Sequence, residues 1–227
     1  MPRFEAIIFD KDGTLFDFNA TWSVWARSAV AALGRGNNGR AKLVSDAIGF
    51  DLKKGVFLPD SPVIAGTVED IEEALKPHID DENIVGKLDQ IACETVQVPV
   101  DGLSDVLAQL AHEYVLGVVT NDSEEPALIH LSSAGIAHHF KFIAGYDSGF
   151  GAKPEPGQLF AFCDEVGIAP EKTVMVGDSR HDLSAARKAG MKSVAVLTGV
   201  AKTEDLTDLA DAILPNIGHL QKWLDAQ

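Results

Sequence analysis

Cysteine is scarce in this 227-residue chain: only Cys93 and Cys163 occur, far apart and in no Cys-x-x-Cys spacing. That excludes a disulfide-stapled scaffold and a zinc ribbon. Basic residues are also few. Lysine and arginine total 19 against 34 aspartates and glutamates, a net charge of −15. Such a chain repels nucleic-acid backbones and anionic membranes, so neither is expected as a partner. No apolar stretch approaches the roughly 18 residues of a membrane span. The apolar run near the N-terminus is too short for a signal-peptide core. Repeats and low-complexity tracts are missing as well. These absences lead to the expectation of a cytoplasmic globular protein. What is plentiful is core material: 46% of residues are hydrophobic. That is enough for one large domain or two modest ones without covalent staples.

The apolar residues are organised. Residues 5–9, 115–119, 141–144, 173–177 and 193–197 read as short buried strands, with a weaker one at 212–214. Helical patterns lie between them, at about 103–113, 124–134, 156–167, 182–189, 204–210 and 216–225. Strands alternating with helices of about ten residues argue for right-handed βαβ units in a parallel sheet. Polar clusters follow four of the strands. Ligands of open α/β sheets bind at the carboxyl ends of strands, so these clusters are expected on one sheet edge.

One segment breaks the alternation. Between the first strand and the helix at 103, the chain reads as mostly helical, at about 20–33, 40–49, 68–76 and 81–96. Asn19 is the expected cap of the first. Thr67-Val68-Glu69-Asp70 resembles a capping box for the third. Pro99 and Gly102 mark the return to the sheet. Phe18, Trp22 and Trp25 follow helical spacing and read as a core stripe that could also wall a pocket. Gly34-Arg35-Gly36-Asn37-Asn38-Gly39 has the letters of a dinucleotide fingerprint, but it follows a helical pattern rather than a strand. It reads as a helix-to-helix loop. Its flanking Arg35 and Arg40 are ordinary surface residues unless the loop faces a site. His138, His139 and His181 show no metal-ligand spacing.

Four motifs carry chemistry. Asp10-Lys11-Asp12-Gly13-Thr14 follows the first strand directly. Two carboxylates two residues apart beside a glycine turn can converge on one metal or phosphoryl group; the alternative is a solvated turn. Thr120-Asn121 follows the strand at 115–119. Lys153 precedes Pro154 near a helix start. Gly177-Asp178-Ser179-Arg180-His181-Asp182 follows the strand at 173–177. Taken singly, the last three are weak signals.

In this order and context the four motifs resemble the haloacid-dehalogenase-like hydrolase superfamily, and within it the phosphoglycolate-phosphatase-like branch with an inserted helical cap. The resemblance implies an α/β fold: a doubly wound, Rossmann-like parallel sheet core (1–15 and 99–227) with a smaller inserted α-helical cap domain (16–98). It implies hydrolysis of a small phosphate monoester through an aspartyl-phosphate, with phosphoglycolate the leading substrate. The other readings are a phosphatase of another sugar or metabolite phosphate, a β-phosphoglucomutase-like phosphotransferase, and a non-catalytic binding protein of the same fold. By resemblance, Asp10 is the nucleophile and Asp12 the general acid and base. Thr120, Asn121 and Lys153 hold the phosphoryl group, Lys153 also acting in catalysis. Asp10, the main-chain carbonyl of Asp12 and Asp178 hold Mg²⁺, with Asp182 and Ser179 supporting them from behind. The second aspartate points to phosphate esters rather than haloalkanoates. Asp10, Asp178, Asp182 and a phosphate dianion would gather about five negative charges against the single charge of Lys153, which calls for a cation. An all-oxygen ligand set favours Mg²⁺. The partner is a small phosphorylated metabolite, and the chain is a monomer or a homodimer.

Overall fold

Short β-branched runs between turn residues have one stable solution here, a parallel sheet covered on both faces. A computed structural model describes residues 4–227, so the first three residues of the expected core segment lie outside the described residues. The chain enters on β1 (Ala6–Phe9) and leaves the sheet for α1 (Phe18–Gly34), α2 (Asn38–Ala47), a hairpin of β2 (Phe50–Asp51) and β3 (Val56–Phe57), α3 (Val68–Leu75) and α4 (Ile84–Glu94). It returns through α5 (Leu103–Leu110), β4 (Val115–Val119), α6 (Glu124–Ser133), β5 (Phe140–Ala144), α7 (Gly157–Val166), β6 (Thr173–Gly177) and α8 (Arg180–Ala189). It ends with β7 (Lys192–Val196), α9 (Thr203–Leu206), β8 (Ala212–Leu214) and α10 (Leu220–Leu224).

The six-stranded sheet is parallel throughout, in the order β5-β4-β1-β6-β7-β8. This is the doubly wound Rossmann-like arrangement, with β1 central and the winding reversing between β1 and β6. Alternation along β1 sends Ile7 and Phe9 into one core layer with Leu107, Leu110 and Leu220. Ala6 and Ile8 enter the opposite layer with Leu159, Phe162 and Ala186. Each fully buried Ile, Leu or Phe side chain among these contributes roughly 1.5–3 kcal/mol.

The inserted helical block has its own core. Phe18, Trp22, Trp25, Leu33, Phe57 and Leu88 pack together in it. Trp22 and Trp25 meet edge-on with ring centroids 5.1 Å apart. The capping box of α3 forms as expected, with Thr67 accepting from the Asp70 N–H and Asp70 accepting from the Thr67 N–H. The cap of α1 differs from expectation. The helix starts two residues earlier, and Asp17, in extended conformation, accepts from the Ala20 N–H at 2.8 Å. Asn19 is therefore a helical residue. The β2–β3 hairpin was not foreseen, because two residues per strand leave no periodicity to read. Arg35 and Arg40 stay away from the pocket described below: Arg35 pairs with Asp81 at 2.6 Å, and the Arg40 Nε donates to the Leu33 carbonyl. No helix among the described residues is long and apolar enough to cross a membrane.

Candidate active site

The four motifs do meet at the carboxyl edge of the sheet. Asp10 follows β1, and its backbone N–H donates to the carbonyl of Val176 in β6 at 2.8 Å. Thr120 follows β4, Asp178 follows β6, and Thr198 follows β7. Thr198 Oγ1 donates to the carbonyl of Gly13 at 2.6 Å, tying that last loop to the Asp-x-Asp turn. The turn is closed by backbone bonds from Gly13 to Phe16 and from Leu15 to Lys11. Gly13 takes φ +84° there, and a Cβ on it would lie 2.4 Å from Asp178 Oδ2. Thr14 takes no part in fixing the turn: its buried hydroxyl has no hydrogen-bond partner.

Lys153 is the hub. Its buried ammonium donates to Asp10 Oδ1 at 2.6 Å, to Asp182 Oδ1 at 2.7 Å and to the Val119 carbonyl at 2.9 Å. Asp182 Oδ2 accepts from the backbone N–H and hydroxyl of Ser179, the capping residue of α8. One carboxylate thus locks a helix start and the buried Lys153 together. Oxygens of Asp10, Asp178 and Asp182 lie within 4.8 Å of one another, and all three residues are buried. Thr120 Oγ1 accepts from the Asp122 N–H at 3.0 Å, leaving its own proton to donate. Asn121 is engaged differently from expectation. Its amide donates to the carbonyls of Ala65 and Lys153, and its oxygen accepts from the Lys153 N–H. It fixes the Lys153 loop and ties it to the inserted block.

The electrostatics follow from burial. Desolvation, opposed by Lys153, raises the pKa of Asp10 to about 7. Burial and the like charges of Asp10 and Asp182 push Asp178 well above the carboxylate range. Burial works against the Lys153 ammonium, but Asp10 and Asp182 outweigh it and raise its pKa. A buried acidic cluster with one cation among it suits a bound metal ion, and its donors are all oxygen.

Three residues escaped the sequence reading. Lys11 is wholly buried, with its Nζ 2.6 Å from Asp12 Oδ2, 3.1 Å from Asp122 Oδ2 and 3.1 Å from His130 Nδ1. Lysine has only donors, so His130 Nδ1 accepts. Its Nε2 therefore carries the proton and donates to the Ala92 carbonyl of α4 at 2.7 Å. Burial and the Lys11 charge lower the pKa of His130 to about 4, which keeps the ring neutral. The available signal was a lysine between two aspartates directly after a buried strand. Its partner His130 lies 119 positions away, beyond any local pattern.

The pocket above this edge is closed on the other side by the inserted block. Phe18, Trp22, Val63, Ile64, Ile71 and Leu88 line it with Asp89. His181 also lines it, and its Nδ1 contacts the Ala65 carbonyl at 2.9 Å. The pocket between this edge and the inserted block is partly open to solvent.

Residues 7–196 match the family model described as haloacid dehalogenase-like hydrolase. The chain belongs to that family. Its resemblance within the family is to the phosphoglycolate-phosphatase-like branch, and the chain is a phosphatase. It is 32% identical over 219 residues to the phosphoglycolate phosphatase of Xylella fastidiosa, covering 94% of this chain and 89% of the relative. It is 26% identical over 215 residues to the N-acetylmuramic acid 6-phosphate phosphatase of Pseudomonas aeruginosa, covering 89% and 86%. Among solved structures, the hydrolase YfnB of Bacillus subtilis, described as bound to magnesium, superposes with a TM-score of 0.68 at 19% identity, covering 98% and 99%.

Proposed function

We propose that this haloacid dehalogenase-like phosphatase hydrolyses a small phosphate monoester with Mg²⁺, through an aspartyl-phosphate on Asp10. The observation that carries the reading is the Asp10–Lys153–Asp182 chain beside Asp178 at the sheet edge. Asp10 and Asp178, with the main-chain carbonyl of Asp12, would hold the ion, and Asp182 supports them while it anchors Lys153. When bound, Mg²⁺ neutralises the carboxylates and the phosphoryl oxygens. A carboxylate oxygen of Asp10 attacks phosphorus while the bond to the leaving oxygen breaks and Asp12 supplies that oxygen with a proton. Asp12 then takes a proton from water as its oxygen attacks the aspartyl-phosphate, which releases phosphate and regenerates Asp10. Lys153 offsets the charge of Asp10 and the phosphoryl group, and Thr120 donates to a phosphoryl oxygen. Residues 16–98 act as the cap. Movement of that cap would admit substrate and exclude water during the first step.

The relatives make phosphoglycolate the first candidate substrate. The pocket wall favours a second. Among the described residues lining it, Lys153 is the only lysine or arginine, and it is already committed to Asp10 and Asp182. The facing wall is apolar except for Asp89 and the unpartnered indole N–H of Trp22, so apart from the imidazole of His181 no basic side chain is free to meet a carboxylate on the leaving group. This supports an ester of an uncharged metabolite, a sugar phosphate among them.

The test is phosphate release with Mg²⁺ from phosphoglycolate, sugar phosphates, simple alkyl phosphates and p-nitrophenyl phosphate, with Asp10→Asn as control. Release that Asp10→Asn abolishes is expected, and the ranking separates the two substrate readings. Release that survives in Asp10→Asn overturns the nucleophile. Phosphoryl transfer without release, dependent on a bisphosphate, would mean a mutase.

A further inference from the structure

Between the two aspartates of the first motif stands a lysine with no exposed surface. Burying an ammonium is costly unless it is paired, and here it has one hydrogen-bonded ring nitrogen and two carboxylates at ion-pair distance. Asp12 Oδ2, Asp122 Oδ2 and His130 Nδ1 surround Nζ within 3.1 Å, and the ring of Trp22 covers it with its centroid 5.9 Å away. The two oxygens of Asp12 are treated unequally. Oδ2 is paired with Lys11, whereas Oδ1 is buried and has no partner. A buried acceptor without a partner is rare in a folded protein, and function is one reason for keeping it. The terminal torsion of an aspartate is broad and roughly two-fold, so an unsecured carboxylate could swing or exchange its oxygens. An ammonium fixed on one side removes that freedom.

We propose that Lys11 is a positioning residue for Asp12: its ammonium, fixed by Asp122 and His130, holds Oδ2 and leaves Oδ1 as the oxygen that carries the proton. The proposal rests on the reading of Asp12 as acid and base. A proton carrier must come within about 2.6–3.2 Å of the leaving oxygen, and a group free to swing reaches that distance only part of the time. His130 gives the clamp its outer anchor. Its second nitrogen donates to the Ala92 carbonyl, so the chain of contacts from Asp12 ends on α4 of the inserted block. Neither Lys11 nor His130 needs to touch substrate for this role.

The decisive comparison sets an alkyl phosphate, whose leaving oxygen needs a proton, against p-nitrophenyl phosphate, whose leaving group does not. Lys11→Met should lower kcat for ethyl phosphate by about 10²-fold, within the usual contribution of a positioned acid, with little change in KM. With p-nitrophenyl phosphate the first step should survive and the second should slow. That gives a burst of nitrophenolate equal to the enzyme concentration. His130→Phe should shift both readouts the same way by a smaller factor. If Lys11→Met alone does not fold, Lys11→Met with Asp122→Asn removes the charge and its counterion together and serves the same comparison. Asp12→Asn is the reference. If it lacks the selective loss, the acid–base reading fails and this proposal with it. If Asp12→Asn shows the slowed ethyl phosphate turnover and the nitrophenolate burst, while the Lys11 variants slow the first step equally with both substrates and give no burst, or slow neither, the proposal alone is overturned.

Discussion

At the scale of single residues, the site is a matter of close approach. Asp178 lies between Gly13 and Gly199, and a Cβ built on Gly199 would sit 1.6 Å from Asp178 Oδ2. No side chain fits there while the carboxylate stays in place. Gly199→Ala should therefore displace Asp178 and weaken Mg²⁺ binding. The core on the far side of the sheet is untouched, so overall stability should change little. Calorimetric titration with Mg²⁺ beside a urea unfolding curve checks this. Unchanged Mg²⁺ affinity would remove Asp178 from the ligand set. The sequence exposed this part of the site well, because each of Asp10, Thr120 and Asp178 directly follows an apolar run. It did not expose the pairing of Asp12 with Lys11, or the use of both Asn121 amide donors on backbone carbonyls. Those depend on which distant segments share a sheet edge, and no local spacing encodes that.

At the scale of elements, legibility followed burial. Strands β4, β6 and β8 lie where the apolar runs place them, since each run is bounded by polar or turn residues. The α1 start was misread because Asp17 and Asn19 are both good caps, and the choice between them depends on where Phe18 must pack. A tertiary clamp joins two helices of the inserted block. Asp81, just before α4, pairs with Arg35 at the end of α1 at 2.6 Å and with Lys87 of α4 at 2.7 Å. The Lys87 hydrogen bond, the Asn83 backbone N–H and Arg35 lower its pKa to about 2. A depressed folded-state pKa stabilises above the unfolded value of about 3.9 and loses that contribution as pH falls towards 2. Asp81→Asn should therefore lower stability at pH 7 by up to about 1 kcal/mol, since Arg35 and Lys87 are partly exposed. The gap from the parent protein should narrow at pH 3. Urea midpoints at the two pH values measure it, and a gap that widens on acidification would contradict the clamp.

At the scale of the whole molecule, a chain of net charge −15 gathers buried carboxylates at the reversal point of its sheet, which costs stability unless a proton or a cation is present. Burial raises Asp10 to about 7 and Asp178 well above its ordinary value. Both lie above the unfolded-state value of about 3.9. The metal-free folded protein thus binds protons that the unfolded chain releases, so the stability from this cluster is greatest in acid and is lost as pH rises through about 7. Mg²⁺ competes with those protons. It should bind weakly at pH 5.5 and well at pH 8, where it replaces what the protons supplied. A cation at a hundred times its Kd stabilises the folded state by about 2.7 kcal/mol. The rise in melting temperature on adding Mg²⁺ should therefore be larger at pH 8 than at pH 5.5, and Asp178→Asn should reduce it. Thermal unfolding with Mg²⁺ or EDTA at both pH values measures this directly. An equal rise at both would mean that the ion binds somewhere other than the Asp10–Asp178 cluster.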